Sequence, residues 1–128
     1  MKAVFVTIAL ASLCACGGGG GSSTGPIGIH VNTPPPADGI SVNNNAFSPG
    51  TKTVSIGTSV KWAWNSCSGA DPYGGTATCT AHSVTFDDGV TSPTQDQGTF
   101  DRTFTAAGTY TYHCSVHGAA MAGTVTVQ

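Results

Sequence analysis

The chain has 128 residues, enough for one domain, and it shows no internal repeat that would call for two. Charged residues make up only 8% of it and the formal net charge is −2, so it lacks the basic stripe that nucleic acid requires and that partner class is excluded. Gly, Thr, Ser and Val dominate, and no stretch sustains a 3.6-residue apolar period, which predicts an all-β fold.

In chain order the first element is an export signal: Met1 and Lys2, an apolar run from Ala3 to Leu13, then Cys14, Ala15 and Cys16. Such a segment targets the chain rather than joining its fold. The run is also too short for a membrane-spanning helix, which needs about 20 apolar residues. Leu13-Cys14-Ala15-Cys16 resembles a bacterial lipobox, in which Leu and a small residue precede the Cys that is lipidated and begins the mature chain. The resemblance implies a signal peptide over residues 1–15, lipidation at Cys16, and a place in the bacterial periplasm or outer cell envelope, with the lipid as the only membrane contact. An ordinary signal peptide cut near Ala15 is the alternative. Cleavage removes Lys2 and leaves Lys52, Lys61 and Arg102 against six aspartates and no glutamate.

Residues 16–38 are the predicted tether. From Gly17 onward they hold a glycine run, Ser22 and Ser23, and Pro34-Pro35-Pro36, with almost nothing to bury. As a flexible coil the segment would reach on the order of 25 Å root-mean-square, so a domain at 39–128 could stand clear of a surface. His30, inside it, reads as a solvated side chain.

After Asp38 short runs of β-branched and aromatic residues alternate with turn residues, predicting a sandwich of seven or eight strands. Seven can be bounded: Ile40 to Asn44, Thr51 to Ile56, Ser59 to Trp64, Ser83 to Phe86, Thr99 to Phe104, Thr109 to Cys114 and Gly123 to Val127. The joints Ser48-Pro49-Gly50, Gly57-Thr58, Asp87-Asp88-Gly89 and Ala107-Gly108 carry turn chemistry. Alternation puts Val60, Trp62 and Trp64 on one face of their strand, with the Trp pair in the core, and Lys61 and Ala63 on the other. It likewise turns Tyr110, Tyr112 and Cys114 inward and Thr109, Thr111 and His113 outward.

The segment from Tyr112 to Gly123 places the Cys114 thiol, the His117 imidazole and the Met121 thioether in one short connection between two strands. A soft set of sulfur and nitrogen donors suits copper: thiolate favours Cu(I), imidazole accepts both oxidation states, and a weak thioether contact lets the geometry change little between them. His82 begins a strand after the loop from Gly69 to Ala81 and could come alongside Cys114 when the sandwich closes. Taken singly, Cys-x-x-His, one His or one Met are common without a metal, and Met most often fills a core. Their occurrence between a Gly-Thr-Tyr-Thr-Tyr-His strand and a Gly-Thr-Val-Thr-Val strand is the informative feature.

From about Ile40 to Gln128 the sequence resembles the cupredoxins, above all the plastocyanin-like and pseudoazurin-like proteins. The likeness is carried by Ala46-Phe47-Ser48-Pro49, by Val54 to Trp62, by Ala81-His82-Ser83-Val84-Thr85-Phe86, and by the run from Gly108 to His117. It implies a Greek-key β-sandwich with one type 1 copper ion at one end, held by His82, Cys114, His117 and Met121, in a monomer that passes single electrons between redox proteins and is not an enzyme. It also implies an electron exit at the edge of His117, ringed by Gly118, Ala119 and Ala120. Two departures stand out. His117 and Met121 are four residues apart, where plastocyanins have one residue more and amicyanins one fewer. The stretch from Ser66 to Ala81 is longer than usual and carries Cys67 and Cys79. In an exported chain those two would join as a disulfide contributing about 3 kcal/mol less any strain, and would stiffen the approach to His82.

Other readings use the same residues. Cys79, His82, Cys114 and His117 could form a structural Cys2His2 zinc site. A copper carrier would use the same ligands as an electron shuttle. Nucleophilic catalysis at Cys114 lacks an orienting third group and faces inward. A multicopper oxidase would show His-Cys-His where Ser115 stands, and a binuclear centre would need a second Cys in the ligand loop. Ser83 could support the Cys114 loop by a hydrogen bond or be an ordinary surface Ser. His113 could offer a second electron exit or be only an exposed strand residue. Asp87 and Asp88 read as turn formers that could also steer a basic partner.

Overall fold

The computed structural model describes residues 32–69 and 77–128. The expected signal peptide, the expected lipidation at Cys16, the expected tether as far as Val31 with His30, and residues 70–76 of the long loop lie outside the described residues.

Ten strands and no helix make up the described chain, an all-β architecture as expected. One four-stranded sheet has the order β2 (Ala46–Ser48), β1 (Ile40–Asn43), β4 (Ser59–Trp64), β8 (Thr99–Thr103). The second has the order β3 (Thr51–Val54), β10 (Gly118–Val127), β9 (Gly108–Cys114), β7 (Thr85–Phe86). A small ribbon of β5 (Cys67–Ser68) and β6 (Thr78–Cys79) completes the set. β1 runs parallel to β4 and β3 parallel to β10, so each sheet mixes parallel and antiparallel pairs.

The core follows from period-two alternation. Trp62, Trp64, Tyr112 and Phe104 are its largest fully buried side chains. The Trp62 ring meets Phe86 and Tyr112 edge-on at 5.6 and 5.5 Å between centroids, the favoured aromatic geometry. Gly123 is required here: a Cβ at that position would come within 2.4 Å of the Tyr112 ring and hydroxyl. Burial pushes the Tyr112 phenol up to about 12.

The sequence expectations differ from the structure mainly at short elements. β2 pairs with β1 through a turn in which Asn45 takes φ 63°, a left-handed conformation Asn tolerates better than most residues. Nothing in a three-residue strand repeats often enough to be seen as a pattern. β10 begins at Gly118, not Gly123, because Gly118 pairs with Cys114 before the register slips. The strand expected from Ser83 is formally shorter, Thr85–Phe86, although His82 is bridged to Gln95.

The last residues before the domain are bonded to it. Asn32 exchanges two hydrogen bonds with the Cys67 backbone, at 3.0 and 2.8 Å, through its side-chain amide. The Thr33 N–H donates to the Trp64 carbonyl at 2.8 Å. The chain therefore enters the domain beside the end of β4 and the β5–β6 ribbon.

Candidate metal centre

His82, Cys114 and His117 arrive from three directions for identifiable reasons. Cys114 closes β9 with its side chain on the inward face and is fully buried. A tight turn follows, closed by the His117 N–H to the Cys114 carbonyl at 3.2 Å, and it swings the His117 ring back over the sulfur. His82 stands on one arm of a hairpin whose tip is the Asp87-Asp88-Gly89 turn. Its backbone exchanges both hydrogen bonds with Gln95, at 2.9 and 3.0 Å. The buried Trp64 indole N–H donates to the His82 carbonyl at 3.2 Å, so that carbonyl has two donors.

The donor atoms of the three side chains lie within 4.8 Å of one another. Both imidazoles turn Nδ1 toward the sulfur, His82 at 3.7 Å and His117 at 3.5 Å. Burial, and then the charge of His117, hold the His82 imidazolium below its ordinary value of 6.5, so the ring is neutral and its lone pair available. A thiol and two imidazoles with converging lone pairs match a soft, nitrogen-accepting metal such as copper.

Met121 belongs to the same buried core cluster as Cys114. Its inward turn follows from the register: Gly118 pairs with Cys114 and Ala122 with His113, so Ala119, Ala120 and Met121 fill a bulge opposite two consecutive residues. Ala119 and Ala120 project outward from it and Met121 inward.

Ser83 is 1% exposed and is no surface serine. Its backbone N–H points at the Cys114 sulfur at 3.4 Å. Its hydroxyl accepts from the Ser115 N–H at 2.9 Å and shares a hydrogen bond with the Ser115 hydroxyl at 2.8 Å, tying the His82 arm to the ligand turn. His117 and Gly118 are half-buried and Ala119 and Ala120 exposed, and Val116, 56% exposed, adds an apolar side chain next in the chain to His117 that the sequence reading did not include. Sequence reasoning also missed Trp64 and Gln95 as supports of His82. For Trp64 a signal existed, since a buried indole N–H needs an acceptor; for Gln95, in an irregular loop, there was none.

Cys67 and Cys79 form a disulfide across the β5–β6 ribbon. This corrects the alternative zinc set: Cys79 is bonded to sulfur and cannot join His82, Cys114 and His117. Cys114 is the free cysteine among the described residues. Asp87 and Asp88 are more than turn formers. Asp87 accepts from the Thr111 hydroxyl and lies 3.6 Å from His113 Nδ1, while Asp88 binds Arg102 through both carboxylate oxygens.

A sequence model of the copper-binding proteins of the plastocyanin/azurin family matches residues 37–128. The chain belongs to that family. Solved cupredoxins share its fold. It is similar to an oxidized mutant of amicyanin at 24% identity over 72% of this chain and 82% of that one, with a TM-score of 0.56. A purple cupredoxin from Nitrosopumilus maritimus is 23% identical over 70% of this chain and 98% of that one, with a TM-score of 0.56. The oxidized plastocyanin from Dryopteris crassirhizoma is 24% identical over 70% of this chain and 99% of that one, with a TM-score of 0.53. At these identities the structural likeness speaks to fold alone. No curated protein sequence matches the chain. Family membership and the His82–Cys114–His117 cluster together support copper binding and copper-based electron transfer as its general function.

Proposed function

We propose that the chain is an electron carrier with one type 1 copper ion, held by Nδ1 of His82, the Cys114 thiolate and Nδ1 of His117, with the Met121 thioether as a weaker axial donor. The observation that carries this is the convergence of two imidazoles and one thiol, the only free cysteine among the described residues, in a buried pocket of a cupredoxin sandwich. Copper would supply the one-electron couple. The protein's part is to hold the donors still: Ser83 locks the two ligand-bearing segments together, Gln95 and Trp64 fix the His82 backbone, and the bulge in β10 directs Met121 inward. Full burial of His82 and Cys114 favours retention of the ion over handing it on, hence a shuttle rather than a carrier of copper. Electrons would leave at the edge of His117, where Val116, Ala119 and Ala120 offer a small apolar surface to a redox partner. Lipidation at Cys16 would hold a monomer at the bacterial envelope.

The visible spectrum of the copper-loaded, oxidised protein tests the centre. An intense thiolate-to-copper band that bleaches on reduction is the expected result, and a colourless protein after loading under oxidising conditions sinks the reading.

A further inference from the structure

We infer that Thr85 and Thr91 are positioning residues for the metal ligand Cys114, acting through Ser83 along a one-way chain of hydroxyls; the inference rests on the copper reading above. Four side-chain hydroxyls lie in a row: Ser115 Oγ to Ser83 Oγ at 2.8 Å, Ser83 Oγ to Thr85 Oγ1 at 3.1 Å, and Thr85 Oγ1 to Thr91 Oγ1 at 3.1 Å. Strand pairing puts them there. Ser83 and Thr85 stand two residues apart and share the face turned away from the buried Val84 and Phe86. Thr91 is bridged to Thr85, and the register that pairs Thr85 with His113, carried two residues on, brings Ser83 level with Ser115.

The far end of the row fixes its direction, because a hydroxyl has one proton to give and a carbonyl can only accept. Thr91 donates to the Ser92 carbonyl at 3.1 Å, so it accepts from Thr85. Thr85 therefore accepts from Ser83, and Ser83 accepts from the Ser115 hydroxyl. The Ser115 N–H also reaches the Ser83 oxygen, at 2.9 Å, so that oxygen donates once and accepts twice. Its capacity is full. The Ser83 N–H faces the Cys114 sulfur at 3.4 Å, and one residue thus grips the ligand turn at the sulfur and just past it. Ser83 is buried, which leaves little room for water to replace the Thr85 oxygen as acceptor. Without the Thr85 hydroxyl the Ser83 proton must turn back to Ser115, and the Ser83 oxygen falls from three hydrogen bonds to two. Hydrogen bonds in a chain polarise one another, so loss of either threonine weakens the same grip.

Amide hydrogen exchange in the metal-free, full-length protein tests the chain. The Ser115 N–H should be protected even though Ser115 is exposed. Thr85→Val keeps the shape and suits a strand, so stability to denaturant should hold or rise while Ser115 exchange quickens about fivefold, as for the loss of one hydrogen bond. Thr85→Ser should keep the parent rate. Thr91→Val should act in the same direction, and the double variant should be no faster than Thr85→Val alone, because links in series are lost once. In the copper-loaded protein Thr85→Val should also release the ion to a chelator several-fold faster. A role in folding alone would lower global stability and leave Ser115 exchange in step with the rest of the sheet. An unprotected Ser115 N–H in the parent, exchange unmoved by Thr85→Val, additive effects in the double variant, or unchanged copper release overturns the inference. If Thr85→Val does not fold, Thr91→Val, at an exposed position, decides by the same two measurements. Failure of the copper reading is seen separately, as a parent protein with the expected Ser115 exchange that takes up no copper and shows no thiolate band.

Discussion

Among the described residues the Arg102 guanidinium is matched by rings and a carboxylate, whereas the His82 ring has beside it only the His117 imidazole and the Cys114 sulfur, and its Nε2 is buried without a partner. The Arg102 guanidinium lies 4.0 Å from the centre of the Phe86 ring, 4.9 Å from Phe104 and 5.0 Å from Tyr110. It reaches Asp88 with two nitrogens, so charge, hydrogen bonds and apolar stem are all accommodated. At the other place a thiol and two imidazoles face one another with no carboxylate in the group among the described residues, and the His82 ring is held neutral by burial. A polar cluster completed by its own chain contributes to architecture. One whose lone pairs converge without an internal counterpart is shaped for something the chain does not encode.

The sharpest way to break this contrast is Cys114→Ala. The thiolate-to-copper band should vanish completely, while the metal-free protein loses only about 1 kcal/mol for a small buried truncation, as read by denaturant unfolding. Replacing Cys67 and Cys79 by Ser together should cost about 3 kcal/mol for the loop of sequence separation 12 that they close. The band should persist in that variant, because Gln95 and Trp64 still hold the His82 backbone. Gly123→Ala forces a methyl against Tyr112 and should cost about 2 kcal/mol of stability. Arg102→Met keeps the stem but removes the charge, and a loss of about 1 kcal/mol with an unchanged spectrum is expected.

The smallest effect is in pH. The hydrogen bond from Arg102, its largest cause, holds the Asp88 carboxyl below its ordinary value of 3.8. The unfolded chain then takes up this proton first as pH falls. The contribution of Asp88 is therefore whole above 3.8 and fades as pH drops through the folded value. Asp88 is well exposed, so solvent screens the pair and the acid limb is shallow. Asp88→Asn should flatten that limb in acid unfolding curves and leave the neutral region almost unchanged.

Much of this was legible in the sequence because it repeats or is local. The alternation in Ser59–Trp64 and Thr109–Cys114 fixed which faces are buried, and the ligand turn lies within eight residues of Cys114. Other features depend on distant partners. The ribbon of Cys67–Ser68 and Thr78–Cys79 exists because the two pairs meet each other, and two-residue strands carry no period. Arg102 alternates onto the same face as Phe100 and Phe104, where a charge is not expected, and only the closing of the sandwich brings Phe86 and Tyr110 around it. Gln95 sits between Pro93 and Gly98, in a stretch that reads as loop, and its bridge to His82 spans the whole hairpin.

The pinning of Asn32 to Cys67 and of Thr33 to Trp64 also sets a polarity for the molecule. The chain enters next to the residue whose indole holds His82, whereas β10 carries the C-terminal side away from the ligand turn for ten residues, about 30 Å. A protein wired to an electrode through its N-terminal side would thus bring the redox end toward the conductor. The same protein wired through Gln128 would turn that end toward solution, and the two orientations should differ by orders of magnitude in heterogeneous electron-transfer rate.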